Sequence, residues 1–234
     1  MYLTYSSTDN EMFYISYSGA RLVSLLGIGG IGKTRVALRY ARSWLGDYPG
    51  GAWFCDLSTA RGLDGLVQAT ALGLGLTPGP TDPLERIGQA IAGRGNCLLI
   101  FDNFEQVARH AEASLGHWLA AAPQARFLVT SREVLGIAGE QAFALAPMGL
   151  REAVQLFDAR ALAVDSGYRP DASDKTALPL LMDLLDRLPL AIELAAARPP
   201  GDDACNPGLV VGTAHRHGAI SPGATVGVRW GFHP

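Results

Sequence analysis

Eight consecutive residues of this 234-residue chain could hold a phosphate chain: Gly27-Ile28-Gly29-Gly30-Ile31-Gly32-Lys33-Thr34. Phosphate oxygens need several donors converging on them, and backbone N–H groups can converge only where side chains stay away. Gly27, Gly29, Gly30 and Gly32 meet that need, and a helix starting near Lys33 would turn its N-terminus toward the anion. At this Gly-x-x-x-x-Gly-Lys-Thr spacing Lys33 reaches the β- and γ-phosphates as a compact cation, and the Thr34 hydroxyl meets Mg²⁺. Arg35, next in the chain, is counted with Gly27–Thr34 as part of the nucleotide-contacting set. The composition sharpens the signal. Of the 19 basic residues 17 are arginine, and the lysines are Lys33 and Lys175 alone. Arginine is longer and forked, and replaces a phosphate-loop lysine badly. A bland glycine-rich turn containing Lys-Thr by chance is the competing reading. The strand expected before the motif and the helix expected after it favour the phosphate loop.

A magnesium–nucleotide site needs a second anchor, and Asp102 ends the apolar run Leu98-Leu99-Ile100-Phe101. At the carboxyl end of a strand its carboxylate would emerge beside the loop. Asn103 follows, where a water-activating acid would suit rapid hydrolysis; an amide orients water but takes no proton from it at neutral pH. Glu105 is the nearest spare carboxylate, and at a helix start it could equally serve the helix dipole. Arg132 follows another apolar run, Phe127-Leu128-Val129-Thr130. If that strand lies beside the loop strand, Arg132 faces the γ-phosphate; otherwise it is a surface arginine.

These residues require a scaffold of short buried strands alternating with helices. Strands are expected at Leu22–Leu26, Ala52–Leu57, Cys97–Asp102, Arg126–Thr130 and Gln141–Leu145. Helices are expected after Lys33, from Leu63 to Leu74, from Pro83 to about Ala92 and from Glu105 to Ala121. Apolar strands separated by helices form a parallel sheet covered on both faces. After Pro147 the strands stop, and Arg151–Val164, Ser173–Asp186 and Pro189–Arg198 read as three helices. The expected organisation is a poorly specified leader (1–20), a nucleotide-binding domain (21–147), a helical subdomain (148–198) and a Gly/Pro-rich tail (199–234) with little regular structure. The tail carries three of the five histidines and no acid after Asp203. His215 and His217 lack the fixed partners a metal site needs.

The remaining composition excludes more than it assigns. A net charge of −3 provides no general attraction for nucleic acid or anionic lipid. No apolar run approaches a bilayer-spanning length, and the start of the chain reads as no secretory signal. Three cysteines without a Cys-x-x-Cys pair suit reduced thiols, and the expected location is the cytoplasm.

In this order the motifs resemble the NB-ARC domain of STAND-type signalling ATPases, in the form found in large bacterial regulators. The resemblance runs over roughly 21–198. It rests on Gly27–Thr34, on Leu98-Leu99-Ile100-Phe101-Asp102-Asn103-Phe104-Glu105, on Phe127-Leu128-Val129-Thr130-Ser131-Arg132-Glu133 and on Leu188-Pro189-Leu190-Ala191-Ile192-Glu193-Leu194-Ala195-Ala196-Ala197-Arg198. It implies an α/β P-loop NTPase three-layer sandwich with a five-stranded, mainly parallel sheet, the fourth strand between the first and third. It also implies an ATP/ADP-driven switch with slow Mg²⁺-dependent hydrolysis, working with protein partners or further output and sensor domains. Lys33, Asp102 and Arg132 become the catalytic set, Arg132 as γ-phosphate sensor; Thr34 and Asp102 become the Mg²⁺ ligands, and Pro189 packs near the adenine.

Three features depart from the pattern. The usual Val-Gly-Arg segment that holds adenine is not found in 1–20, and Arg187 stands where glycine usually precedes Leu-Pro-Leu. The winged-helix domain expected after Arg198 is replaced by the 199–234 tail, which reads as out-of-frame or otherwise foreign sequence. The competing functions are a turnover ATPase or small-molecule kinase on the same loop, and a truncated relic that binds nucleotide poorly. A kinase needs an arginine-rich lid, and 133–150 does not supply one.

Overall fold

The structure is a computed structural model that describes residues 19–77, 82–170 and 172–197. The expected leader, apart from its last two residues, and the whole expected tail lie outside the described residues, as does part of the Pro78–Pro83 break. The chain divides into two compact units between Ala146 and Pro147.

The first unit holds β1 (Leu22–Leu26), α1 (Lys33–Ser43), β2 (Ala52–Asp56), α2 (Gly62–Gly73), α3 (Pro83–Ala92), β3 (Leu98–Asp102), α4 (His117–Ala121), β4 (Arg126–Ser131) and β5 (Glu140–Ala144). The strands form one parallel sheet in the order β2-β3-β4-β1-β5, so β4 lies between β1 and β3. Each parallel crossover needs a connection that climbs back over the sheet, which is why apolar strands and helices alternate along the sequence. Leu99 and Phe101 alternate with Leu98 and Ile100 along β3, and all four are buried, so both sheet faces are covered. On one face Phe101 stacks on Trp118 and Phe127 at centroid distances of 5.8 and 6.2 Å, with Leu66, Ile87 and Ile91 from α2 and α3 closing the same cluster. On the other, α1 packs against β1, β3 and β4 through its stripe of Val36, Ala37, Tyr40 and Ala41. Burying each large aliphatic or Phe side chain of these layers stabilises the sheet by about 1.5–3 kcal/mol, and the burial on both faces fixes the strand register.

Local chemistry sets the element ends. Asp82 caps α3, its carboxylate accepting from Leu84 N–H at 3.0 Å, and Pro83 occupies the first turn, where its missing N–H is harmless. Gly73, which weakens α2 on propensity, lies so close to β2 that a Cβ there would sit 2.7 Å from the Phe54 carbonyl oxygen. Close packing chose that glycine.

Two expectations change. Strand β2 is an edge strand, and within it only Cys55 is buried, whereas a fully buried strand was expected. The segment expected as one helix from Glu105 to Ala121 is broken. Residues Phe104–Gln106 and Ala108–His110 form 3₁₀ turns and Glu112–Gly116 a π-helical turn, ahead of α4. The Ser114 hydroxyl donates to the His110 carbonyl at 2.7 Å, competing with the regular helical ladder.

The second unit contains α5 (Leu150–Val164), α6 (Ala172–Leu184) and α7 (Pro189–Ala196). Helix α5 packs on α6 and α7, burying Ala153, Leu156, Phe157 and Ala161 with Leu178, Met182 and Ile192 among the buried residues of its partners. Arg160 donates to Glu193 at 2.8 Å between α5 and α7. Among the described residues, no helix is long and apolar enough to cross a membrane.

Candidate functional site

Strand β1 runs into the glycine segment and out into α1, so the loop lies at the carboxyl edge of the sheet, between the neighbours β4 and β5. The loop is tied to β4 by Gly27 N–H donating to the Ser131 carbonyl at 3.3 Å. Gly32 precedes α1 at φ 101°, a conformation an L side chain resists, and the helix start carries no side-chain cap and no acid in its first turn. The first-turn amides of α1 therefore have no capping side chain to satisfy them, the arrangement that receives anions. Ile31 is buried and packs over Gly27, while Ile28 is exposed. Thus the two non-glycine positions of the loop divide, one anchoring it and one facing solvent.

Lys33 is only 8% exposed, and its ammonium lies across the loop, donating to the carbonyls of Gly27 at 2.7 Å and Ile28 at 3.2 Å. Two of its three donors hold the bend in shape. Burial lowers the Lys33 pKa; the nearby Glu105 carboxylate works against that shift, Arg132 adds to it and Asp102 again opposes it. A desolvated ammonium among mixed charges gains from an added anion.

Asp102 ends β3 beside α1, at 6% exposure. Its Oδ1 accepts from the Thr34 hydroxyl at 2.7 Å and the Thr130 hydroxyl at 2.6 Å, and Oδ2 accepts from the Asn103 amide at 3.3 Å. Thr34 and Asp102 thus converge from positions 68 residues apart. Asn103 is left-handed at φ 62°, and its N–H donates to the Thr130 hydroxyl at 3.0 Å. Asparagine tolerates that conformation better than most residues, and its amide holds the carboxylate in place.

Arg132 follows β4 and reaches back over the loop; a Cβ on Gly29 would lie 3.5 Å from its Nη2. Its Nε pairs with Glu105 Oε1 at 3.2 Å. The other Glu105 oxygen is buried with no hydrogen-bond partner. Sequence reasoning placed Glu105 nearby but did not connect it to Arg132; adjacent strand ends, β3 and β4, bring the two together.

Hence 27–35, Asp102 and Arg132 all belong to the first unit, gathered at the strand-end edge, with Arg35 exposed on α1. Pro189 belongs to the second unit, where it opens α7. The loop, the ammonium and Arg132 offer donors and positive charge to phosphate, and the Thr34–Asp102 pair offers two hard oxygens of the kind Mg²⁺ takes. Among the described residues no three His, Cys, Asp or Glu side chains gather as a metal site.

No family model matches the chain. It is 34% identical over 184 residues to an uncharacterized protein of Mycobacterium tuberculosis, an alignment covering 77% of this chain and 46% of that protein. It is 37% identical over 183 residues to another M. tuberculosis protein, whose name describes it provisionally as an HTH-type transcriptional regulator, covering 76% of this chain and 20% of the regulator. The chain therefore spans about half the length of the first relative and a fifth of the second. Among solved structures, it superposes on a STAND protein with a tetratricopeptide-repeat sensor from Pyrococcus horikoshii. The TM-score is 0.55 at 17% identity, over 89% of this chain and 32% of that one. With its parallel five-stranded sheet and glycine loop, the chain has the α/β fold of P-loop ATPases, and its sequence relatives include a protein named as a transcriptional regulator.

Proposed function

We propose that this chain is the ATP/ADP-binding part of a larger signalling regulator of the NB-ARC class, with slow Mg²⁺-dependent ATP hydrolysis. The observation that carries the reading is the meeting of the Lys33 ammonium, the uncapped start of α1 and the Thr34–Asp102 pair at one sheet edge. In this reading residues 21–147 bind nucleotide, 148–198 form the helical subdomain, and output comes from partners or domains outside this chain. The two relatives, both longer than this chain, and the regulator name of one of them agree with that arrangement.

Lys33 contacts the β- and γ-phosphates, backbone N–H groups of 27–34 wrap the phosphate chain, and Arg132 meets the γ-phosphate. Thr34 and Asp102 would hold Mg²⁺, which would supply neutralisation of negative charge on the phosphate chain. Asn103 orients water without taking its proton, which suits slow turnover. The preference for adenine and the place of Pro189 beside it rest on the resemblance alone.

Titration calorimetry of ATP and ADP against wild type and Lys33→Ala tests the reading. Wild type binds both nucleotides, and the variant loses affinity about 100-fold, as expected for removing a charge-assisted contact to phosphate in a desolvated site. Equal ATP affinity in the two proteins overturns the assignment. Single-turnover and steady-state hydrolysis then separate a slow switch from a turnover enzyme.

A further inference from the structure

The pair between Glu105 and Arg132 is built unlike a structural ion pair. A structural arginine–carboxylate pair commonly uses both forks, two parallel N–H···O contacts that lock the geometry. Here Nε meets Oε1 at 3.2 Å and Oε2 takes no part, and the arginine is 66% exposed while the glutamate is 13% exposed. The second carboxylate oxygen is buried without a donor, an arrangement that costs stability and calls for an explanation in the site itself. The guanidinium reaches over Gly29 of the loop, and the pair stands within electrostatic reach of Lys33 and Asp102. Those four side chains carry two positive and two negative charges, so Glu105 and Asp102 offset Arg132 and Lys33 from within the chain.

We infer that Glu105 is the counter-ion that Arg132, already poised over the loop, must give up to meet a terminal phosphate, so that this pair sets how strongly the site prefers a nucleoside triphosphate over a diphosphate. The inference rests on the nucleotide-binding reading above. Glu105 acts through Arg132 and is a positioning residue. A γ-phosphate brings more negative charge than one carboxylate and competes for the guanidinium. A diphosphate lacks that group and leaves Arg132 with Glu105. The single weak contact makes the exchange inexpensive, and a bidentate pair would resist it.

The test is the ratio of ADP to ATP dissociation constants, measured with Mg²⁺ by calorimetry in four proteins: wild type, Glu105→Gln, Arg132→Ala and the double variant. In Glu105→Gln the ratio moves about threefold toward ATP, the size expected for releasing a partly exposed ion pair. In Arg132→Ala, whose exposed side chain is not needed for folding, the ratio falls close to one, and adding Glu105→Gln then leaves it unchanged. A general loss of packing at residue 105 would shift both nucleotides alike and would do so in either background. An unchanged ratio in Glu105→Gln, an equal shift in the Arg132→Ala background, or a wild-type ratio in Arg132→Ala overturns this inference while leaving nucleotide binding intact. Absence of nucleotide binding by wild type overturns the binding reading and this inference with it.

Discussion

Left-handed backbone conformations recur along this chain, and at two places, the strand-end edge of the sheet and the helical unit, they are filled by opposite kinds of residue. At the edge of the sheet the residues are Gly30 at φ 82°, Gly32 at φ 101° and, after β3, Asn103 at φ 62°. In the helical unit, between α6 and α7, they are Asp186 at φ 51° and Arg187 at φ 52°. Glycine adopts such angles freely and asparagine at small cost, whereas for arginine the left-handed region costs about 1–2 kcal/mol. The first turn thus has residues matched to its backbone, with donors and acids gathered around it. The second carries a mismatch: Arg187 N–H donates back to the Met182 carbonyl at 2.9 Å and Asp186 N–H to that of Asp183 at 3.1 Å, and besides these helix-end bonds it has an exposed Arg187–Asp183 pair at 3.4 Å and a hydrogen bond from Met148 N–H to the Arg187 carbonyl. A matched turn beside converging polar groups marks a place shaped for a ligand. A mismatched one marks a turn that the surrounding helices impose.

That contrast breaks most visibly at Gly32. Gly32→Ala places a Cβ at φ 101°, outside the ordinary left-handed basin, and we expect about 2 kcal/mol lost from stability. Because Gly32 also sets the first turn of α1, ATP affinity should fall at least tenfold beyond what the stability loss explains. Urea unfolding and calorimetry on the same protein separate the two effects. An alanine tolerated in both would remove the claim that backbone shape at this turn serves a ligand.

Arg187→Gly probes the other turn in the opposite direction. Removing the left-handed penalty outweighs both the exposed pair with Asp183 and the extra freedom of glycine in the unfolded chain. The expected gain is about 1 kcal/mol, read as a rise of about 2–4 °C in the thermal midpoint. The NB-ARC resemblance puts a glycine at this position, and the backbone angle supplies a physical reason for that preference without reference to nucleotide. A drop in the midpoint would show that Arg187 makes contacts worth more than its backbone strain.

The same contrast explains what the amino-acid sequence could disclose. Strands β1 to β4 were legible because each is a short, largely apolar run bounded by turn residues, and Asp102 because it ends one of them after a phosphate-loop motif. The edge position of β2 was not legible: Ala52-Trp53-Phe54-Cys55-Asp56 is as apolar as a central strand, and only the pairing order exposes its outer side. The breaks between Phe104 and Gly116 were hidden because the segment keeps a helical apolar period, with Phe104, Val107, Ala111, Leu115 and Trp118 all buried, while Ser114 back-bonds to His110. Of the candidate site, the place of the glycine loop between a strand and a helix was legible because its motif is contiguous. The Glu105–Arg132 pair was not, since it joins the ends of two strands whose adjacency is a property of the fold.

The smallest expected effect concerns Lys33 itself, and its sign is set by burial. The folded chain holds the Lys33 pKa below the ordinary 10.5, chiefly because burial disfavours the charged amine. Below the lowered value the lysine is protonated folded and unfolded alike, and the full cost of burying its charge is present. Between the lowered pKa and 10.5 the unfolded chain binds more protons than the folded one, so the contribution of Lys33 to stability improves as pH rises through that window. Lys33→Met removes the charge and keeps the apolar stem. Its advantage over wild type in stability should therefore be largest below that window and shrink as the pH approaches 10.5, measured by urea unfolding of both proteins along the series. A difference that grew with pH would mean that the two loop carbonyls and Glu105 together hold the ammonium better than water does. The loop would then be a finished structure, with no charge left to offer a phosphate.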